Sequence, residues 1–559
     1  MSQLSLVVVA IPAIGALVIA IAAARGASRR SSVVELHAEP IRSGEAVKVD
    51  ASVYRAIAFI FGVCALLAVA GLSLFGRYLR LKFSVGENDC SASFALLTAA
   101  AWLPAIYVAR RSEHHRPALL YGVVLLLEAS YLAIFACDHA IWLCAALQVN
   151  SVLLYLLAAG WSSLRSEGPA RKMLLMNLAA DLAIFVGLMG LVIASARVSA
   201  SEPTAAPRLT YSLSEIVREF PRLTTDDVAA QEYWKHAQRS LLSILILAAA
   251  IKAPLVPFHA WFSAIVSEGP LCVGIALVGP GLRIGLYLLV RFIGPVSGDL
   301  GGVADLIVGL AVLGAFLESL LTYGQADLKK MIACIGLMQS SLAVAGFFSS
   351  RPENASGPLM LALASGIGGV LILFALGFLE SRYGTGDLGG IGGIVHKLPN
   401  LAAVFLLATF SLVGLPALSG FPGLFATLGA IFGSEWTFAF LAIGACLVGA
   451  WALVTMLQHL VFGPPRLPPP AEGDVLLHSG MPMGAAAGLG SPPETLWANE
   501  APPRDWSIVA EGKSGSIDLS AKELLLLAPL LTSLVALGIW PQTIATALHF
   551  ALIGPSLSP

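Results

Sequence analysis

Five ionisable residues stand inside stretches that are otherwise apolar: Glu128, Asp181, Lys252, Arg283 and Glu318, with Asp138 at the edge of one such stretch. If these stretches cross a bilayer, a charge at the centre costs roughly 2.5 to 3.5 kcal/mol, so five unpaired charges would cost on the order of 10 to 15 kcal/mol. They must pair or line water. The chemistry open to such a set is ion or proton relay, because carboxylates, a lysine and a histidine exchange protons over short distances. Arg283 is the exception: a guanidinium does not deprotonate in proteins, so it can only hold a carboxylate or set a field.

Lys252 has the most informative setting. It closes the uncharged run Leu241 to Ile251 and is followed by Ala253-Pro254-Leu255-Val256-Pro257-Phe258-His259-Ala260-Trp261. Two prolines remove backbone donors just beyond the ammonium, which predicts a helix broken at membrane depth. Such a break is tolerated only where the freed backbone groups are buried in protein or face a wet cavity. Transporters place coupling-ion sites at breaks of this kind. A lysine desolvated there beside a carboxylate makes a workable proton switch. His259 could relay protons or hydrogen-bond the broken backbone, and Glu128 and Glu318 could be relay carboxylates or structural partners; periodicity does not decide. A second break is predicted at Gly414-Leu415-Pro416-Ala417-Leu418-Ser419-Gly420-Phe421-Pro422.

The elements that must position these residues are membrane spans. Of 559 residues, 57% are apolar and only 12% charged, about half the charged share of soluble domains. By position, 34 of the 67 charges lie in three stretches: 10 from Arg25 to Arg55, 12 from Arg197 to Arg239 and 12 from Arg466 to Glu523. Apolar windows of about 20 residues recur along the rest. They predict an all-α polytopic membrane protein of about 14 transmembrane helices, with span 4 at 118–136, span 5 at 140–161, span 6 at 173–195, span 7 at 240–267, span 8 at 271–293, span 9 at 302–323 and span 12 at 401–434. The first span, 4–24, is followed by arginines rather than preceded by a basic segment, so it is read as a retained helix.

Spans 7 and 12 share a proline-broken middle and lie five apart, which suggests two inverted five-helix repeats, each with a broken helix. The expected organisation is an N-terminal three-helix segment over 1–117, a first repeat over 118–293 that carries a polar loop at 196–239, and a second repeat over 302–462. A Pro-, Gly-, Ala- and Ser-rich disordered insertion over 464–517 and a C-terminal helix over 522–559 follow. Loops after odd-numbered spans up to the eleventh carry 16 Lys/Arg against 5 for even-numbered loops, the 196–239 loop set aside. That bias predicts both termini facing outward, in a bacterial inner membrane.

Other chemistries are excluded. Net charge is −1 with no basic run, so no nucleic acid partner is expected. Seven scattered cysteines form no CxxC or Cys/His cluster, and neither a Walker A loop nor a dinucleotide fingerprint is present. No cofactor or metal is therefore expected on this chain, and any redox step belongs to a partner.

The chain resembles the antiporter-like membrane subunits of respiratory complex I (NADH:quinone oxidoreductase), a family shared with the Mrp-type sodium/proton antiporters. The resemblance covers roughly Ala118 to Phe462 and rests on three stretches. Lys252 to Trp261 with Glu268-Gly269-Pro270 and Gly285 to Arg291 resembles the signature of spans 7 and 8. Gln325 to Lys330 with Gln339 resembles the turn from span 9 to span 10. Gly414 to Phe421 resembles the broken span 12. Within the family Asn177, Asp181 and Gln339 match the L type best, while the carboxyl end, with one span after Lys522-Glu523, looks like a shortened or M-like relative.

The resemblance implies a proton relay and assembly with other membrane-arm subunits in the bilayer. Carried over by position, the span 7 lysine is Lys252 and the span 6 aspartate Asp181. The span 5 glutamate falls on Gln148, the span 8 lysine on Arg283, the span 11 histidine and lysine on Ser365 and Gly369, and the span 12 charges on Leu424 and Phe425. Much of the relay is thus replaced by uncharged residues. Two readings follow: a proton- or cation-translocating subunit with a depleted relay, using Asp181 and Lys252 as the switching pair with Glu128, Glu318 and His259 as auxiliaries, or a non-pumping structural or coupling subunit of the same membrane arm. An Mrp-like antiporter component is a further alternative.

Overall fold

A computed structural model describes residues 3–34, 43–78, 89–112, 116–161, 166–199, 209–219, 228–293, 302–350, 356–383, 392–464 and 518–542. The insertion expected over 464–517 lies outside the described residues except for Pro464.

Seventeen helices are named here in chain order: α1 (Gln3–Val34), α2 (Ser43–Tyr78), α3 (Asp89–Ala109), α4 (Pro117–Ala136), α5 (Ala140–Gly160), α6 (Glu167–Ser199), α7 (Leu213–Glu219), α8 (Val228–Lys252), α9 (Ala260–Glu268), α10 (Leu271–Phe292), α11 (Gly302–Tyr323), α12 (Leu328–Ser349), α13 (Ser356–Tyr383), α14 (Pro399–Val413), α15 (Gly420–Ser434), α16 (Trp436–Leu460) and α17 (Ala521–Ile539). Twelve helices among the described residues are long and apolar enough to cross a membrane. The chain is an integral membrane protein.

Helices that are apolar all round belong either in a protein core or against lipid, and this chain uses both. α10, α12 and α13 are buried along almost their whole length, whereas α1, α2, α11, α16 and α17 leave most of their central windows uncovered. The buried three form the centre: α13 packs on α12, α10 and α3, and α10 also packs on α8. α10 is not a uniform helix. It widens into π-helical turns at Leu277–Gly281, which contains Pro280, and at Leu289–Ile293.

The expected span 7 is two helices. α8 stops because Pro254 has no N–H for the Ala250 carbonyl, which takes the Leu255 N–H instead at 2.9 Å, and Pro257 cannot serve Ala253. The chain turns through residues 253–259 and resumes as α9. The polar 196–239 segment is partly helical, contrary to a plain loop: α6 runs on to Ser199, α7 forms within it, and α8 begins at Val228.

The expected span 12 is likewise two helices. α14 ends at Gly414, whose φ of 86° suits glycine, and the turn contains Ala417 at φ 72°. Gly420 restarts the chain against Ser411, where a Cβ would fall 1.8 Å from the Ser411 carbonyl oxygen. The hydroxyls of Ser411 and Ser419 meet across the break at 2.9 Å.

α17 closes this half. Its first turn carries a capping box between Ser520 and Glu523, and Glu523 also accepts from the Tyr107 hydroxyl of α3 at 2.5 Å. Just before it, Asp518 caps α14 by accepting from the N–H groups of Asn400 and Leu401. Farther along, the Leu534 carbonyl accepts from the Ser419 N–H at 2.9 Å, and Gly538 lies so close to the break that a Cβ would sit 2.3 Å from the Ala417 oxygen.

Candidate functional site

α8 ends on Lys252, and the turn that follows lets the lysine reach into the protein rather than toward an interface. Its ammonium lies 2.7 Å from Asp181 Oδ1 of α6, with side chains 2% and 0% exposed. It also donates to Asn177 Oδ1 of α6 at 3.1 Å and Ser151 Oγ of α5 at 3.2 Å. Ser151 in turn donates to Asp181 Oδ2 at 2.6 Å. All three ammonium protons therefore have an oxygen acceptor, and the charge pair is fully removed from water. Asn177 and Asp181 are one helical turn apart, so one face of α6 supplies two of the three acceptors.

Beside this pair is a cavity of about one water's size, lined by Tyr131, Asn150, Asn177, Lys252, Pro254 and Trp261 among others. The Trp261 indole N–H is buried and has no hydrogen-bond partner among the described residues. Asn150 donates to Ser130 at 3.0 Å.

Gln148 is not part of this cluster. It is exposed on α5, and Ser151, three residues on, is the α5 residue that meets Asp181 and Lys252. The face of α5 toward α6 and α8 carries Ser151, and Gln148, where the resemblance places the span 5 glutamate, lies away from the pair.

His259 sits at the end of the broken turn, 24% exposed, with Nε2 3.5 Å from Glu318 Oε1 of α11. Glu318 is buried and also faces the Cys334 thiol of α12. Glu128 of α4 is fully buried, and neither carboxylate oxygen has a hydrogen-bond partner among the described residues.

Arg283 of α10 is fully buried, yet it holds no carboxylate among the described residues. It donates to the Ala362 carbonyl of α13 at 2.8 Å, to the Ser365 hydroxyl and to the Val278 carbonyl. Val278 lies in the π-helical turn, where the widened backbone frees a carbonyl for a side chain. Ser365, where the family's histidine falls, is thus a partner of the guanidinium.

Asp138 belongs to a separate network near the membrane edge. It pairs with Arg291 at 2.8 Å and accepts from Ser212 Oγ at 2.7 Å and from Ser214 Oγ at 2.9 Å. Arg291 also reaches Tyr287, whose hydroxyl donates to the Phe135 carbonyl. Sequence reasoning marked Asp138 but not these partners. At the second break, Gln339 of α12 donates to the Leu412 carbonyl at 2.7 Å.

These features define a polytopic membrane protein with a carboxylate–ammonium pair buried at a discontinuous helix. Residues 138–449 match the family described as NADH:quinone oxidoreductase/Mrp antiporter, TM. The chain belongs to that family.

Among curated relatives, NADH-quinone oxidoreductase subunit 13 of Thermus thermophilus is 35% identical over 238 residues, covering 42% of this chain and 50% of the relative. The match thus spans about half the relative's length. The fold is shared with a chain of respiratory complex I from Thermus thermophilus with bound NADH, at TM-score 0.70 and 21% identity over 98% of both chains. It is shared too with a chain of the Mrp complex from a Dietzia species, at TM-score 0.68 and 16% identity, over 91% of this chain and 51% of that one. NADH-quinone oxidoreductase subunit M of Rickettsia bellii, 31% identical over 229 residues, or 41% of this chain and 46% of the relative, is of M type.

Proposed function

We propose that this chain is a proton-translocating, antiporter-like subunit in the membrane arm of an NADH:quinone oxidoreductase-type assembly, working with a depleted relay. The observation that carries this reading is the Lys252–Asp181 pair at 2.7 Å, buried where α8 breaks. Ser151 and Asn177 hold the charged state of the lysine, and the adjoining cavity has room for about one water beside it. Movement of Asp181 away from Lys252 would remove the stabilising charge and release a proton, and its return would recapture one. Glu128, His259 and Glu318 act as auxiliaries, and partner subunits supply the redox step.

The repeat reading has support in the packing. α4 on α5, α5 on α6, α6 on α8 and α9, and those two on α10 recur as α11 on α12, α12 on α13, α13 on α14 and α15, and those two on α16. We therefore keep fourteen spans, ten of them in two inverted five-helix repeats, 118–293 and 302–462, three in 1–117 and one in 522–559, with the insertion 464–517 between. The loop charge bias supports both termini facing outward from a bacterial inner membrane.

A second reading, a non-pumping structural or coupling subunit of the same arm, is favoured by the lack of charge deep within the spans from Met331 to Phe462, where Glu380 and Arg382 stand only at the end of α13. One experiment separates the two. The intact assembly is reconstituted in liposomes, and pH-gradient formation is compared between wild type and Lys252→Ala at equal redox turnover. Loss of the gradient in the variant is expected; equal gradients would leave the non-pumping reading. The subunits that co-purify tell a complex I-like arm from an Mrp-like assembly.

A further inference from the structure

α14 ends against a proline. In a helix continued past Val413, the Leu412 carbonyl would accept from residue 416, but that residue is Pro416 and has no N–H. Gln339 of α12 supplies the missing donor. Its Nε2 reaches the Leu412 oxygen at 2.7 Å, from a side chain that is buried. The amide can be turned only one way here, because a carbonyl accepts and never donates. The nitrogen therefore goes to Leu412, and Oε1 is left buried with no hydrogen-bond partner among the described residues.

An amide oxygen stranded in this way costs about 1 to 3 kcal/mol, and a broken helix at membrane depth is tolerated only where its polar groups are met by protein or by water. Gln339 also lines a cavity of about one water's size. Leu412 and Val413, at the end of α14, line the same cavity, as does Cys446 of α16. The carbonyls of a helix's last turn have no donor within the helix, and a thiol is a weak donor. An unmet oxygen, the open end of a helix and a weak donor thus surround a space that admits one water, which needs two to four polar contacts. No charged residue among the described ones lines the cavity, so nothing there calls for an ion.

We propose that the second break binds a single water molecule and that Gln339 builds its site. The water donates one O–H to Gln339 Oε1 and the other to the open carbonyls at the end of α14, and it accepts from the Cys446 thiol. Gln339 then mends the break twice, by its own N–H on Leu412 and by the water on its oxygen. Such a site serves a pumping and a non-pumping chain alike, so its failure would leave the proposed function standing.

The test is pulsed X-ray radiolysis of the intact assembly in detergent, which forms hydroxyl radicals from bound as well as bulk water and oxidises the nearest sulfur side chains. Met338 lines the cavity and is 4% exposed, while Met360 and Met456, which do not line it, are 5% and 2% exposed. Mass spectrometry of the peptides should find Met338 oxidised severalfold faster than both. Gln339→Leu removes the anchor and should bring Met338 down to the rate of the other two. If Gln339→Leu fails to assemble, Ala450→Val decides alone: it adds two methyl groups at the cavity wall, leaves the amide in place and should slow Met338 equally. Met338 oxidised no faster than Met360 and Met456 in wild type overturns the water site. So does a fast Met338 in Gln339→Leu or, where that variant does not assemble, in Ala450→Val.

Discussion

Removing one member of the Lys252–Asp181 pair should destabilise the protein far more than removing both. In Lys252→Met the side chain keeps its volume, but Asp181, with a side chain 0% exposed, loses its 2.7 Å counter-charge and keeps the Ser151 hydroxyl as its donor. Leaving a buried charge uncompensated costs about 3 to 5 kcal/mol. Asp181→Leu alone strands the ammonium with the neutral acceptors Ser151 and Asn177 and should cost a similar amount. The double variant Lys252→Met/Asp181→Leu removes both desolvated charges, and apolar replacement of a buried pair is often neutral or stabilising. The double variant should therefore lie within about 2 kcal/mol of wild type, giving a coupling energy well above the roughly 0.5 kcal/mol scatter of independent sites. The assay is a double-mutant cycle by denaturant unfolding of the purified chain in detergent micelles. Additive losses would refute the reasoning, because they would mean that the two charges do not compensate each other inside the protein.

Two further outcomes follow from other contacts. Arg283→Lys conserves charge but not the fork that reaches Ala362, Ser365 and Val278 together. It should lower stability by about 1 to 3 kcal/mol, the cost of leaving a buried acceptor unsatisfied, and an unchanged melting temperature would show that the fork is dispensable. Gly538→Ala places a methyl 2.3 Å from the Ala417 oxygen and should cost on the order of 1 to 3 kcal/mol; limited proteolysis should then release the segment carrying α17 sooner than in wild type, and identical cleavage would count against tight seating.

How much of this is legible in the sequence varies by residue. The break after Lys252 is readable because Pro254 and Pro257 act through the missing N–H, a local effect. Asn177 and Asp181 share a face by simple helical spacing. The α5 partner is not readable: α5 is apolar nearly all round, so nothing in the sequence sets its rotation, and the resemblance marks Gln148 by position rather than Ser151. His259 and Glu318 meet across 59 positions through the packing of Val256 on Gly314, which leaves no periodic trace. Two of the three partners of Arg283 are backbone carbonyls on two helices, and carbonyls have no residue type. Pro280 is the one hint, since a proline three residues earlier disturbs the turn that frees Val278.

The seating of α17 on the second break has a consequence for how the chain is made. The Ser419 N–H finds its acceptor in Leu534, more than a hundred residues later, and Asp518 caps α14 from a similar distance. During synthesis α14 and α15 enter the membrane well before either partner exists. Until α17 is inserted, that turn must remain provisional, its donors served by water or by the insertion machinery. A truncation just before Asp518 would then yield a chain whose first half is finished and whose second half waits, and quality control that surveys unsettled membrane backbone would find its target there.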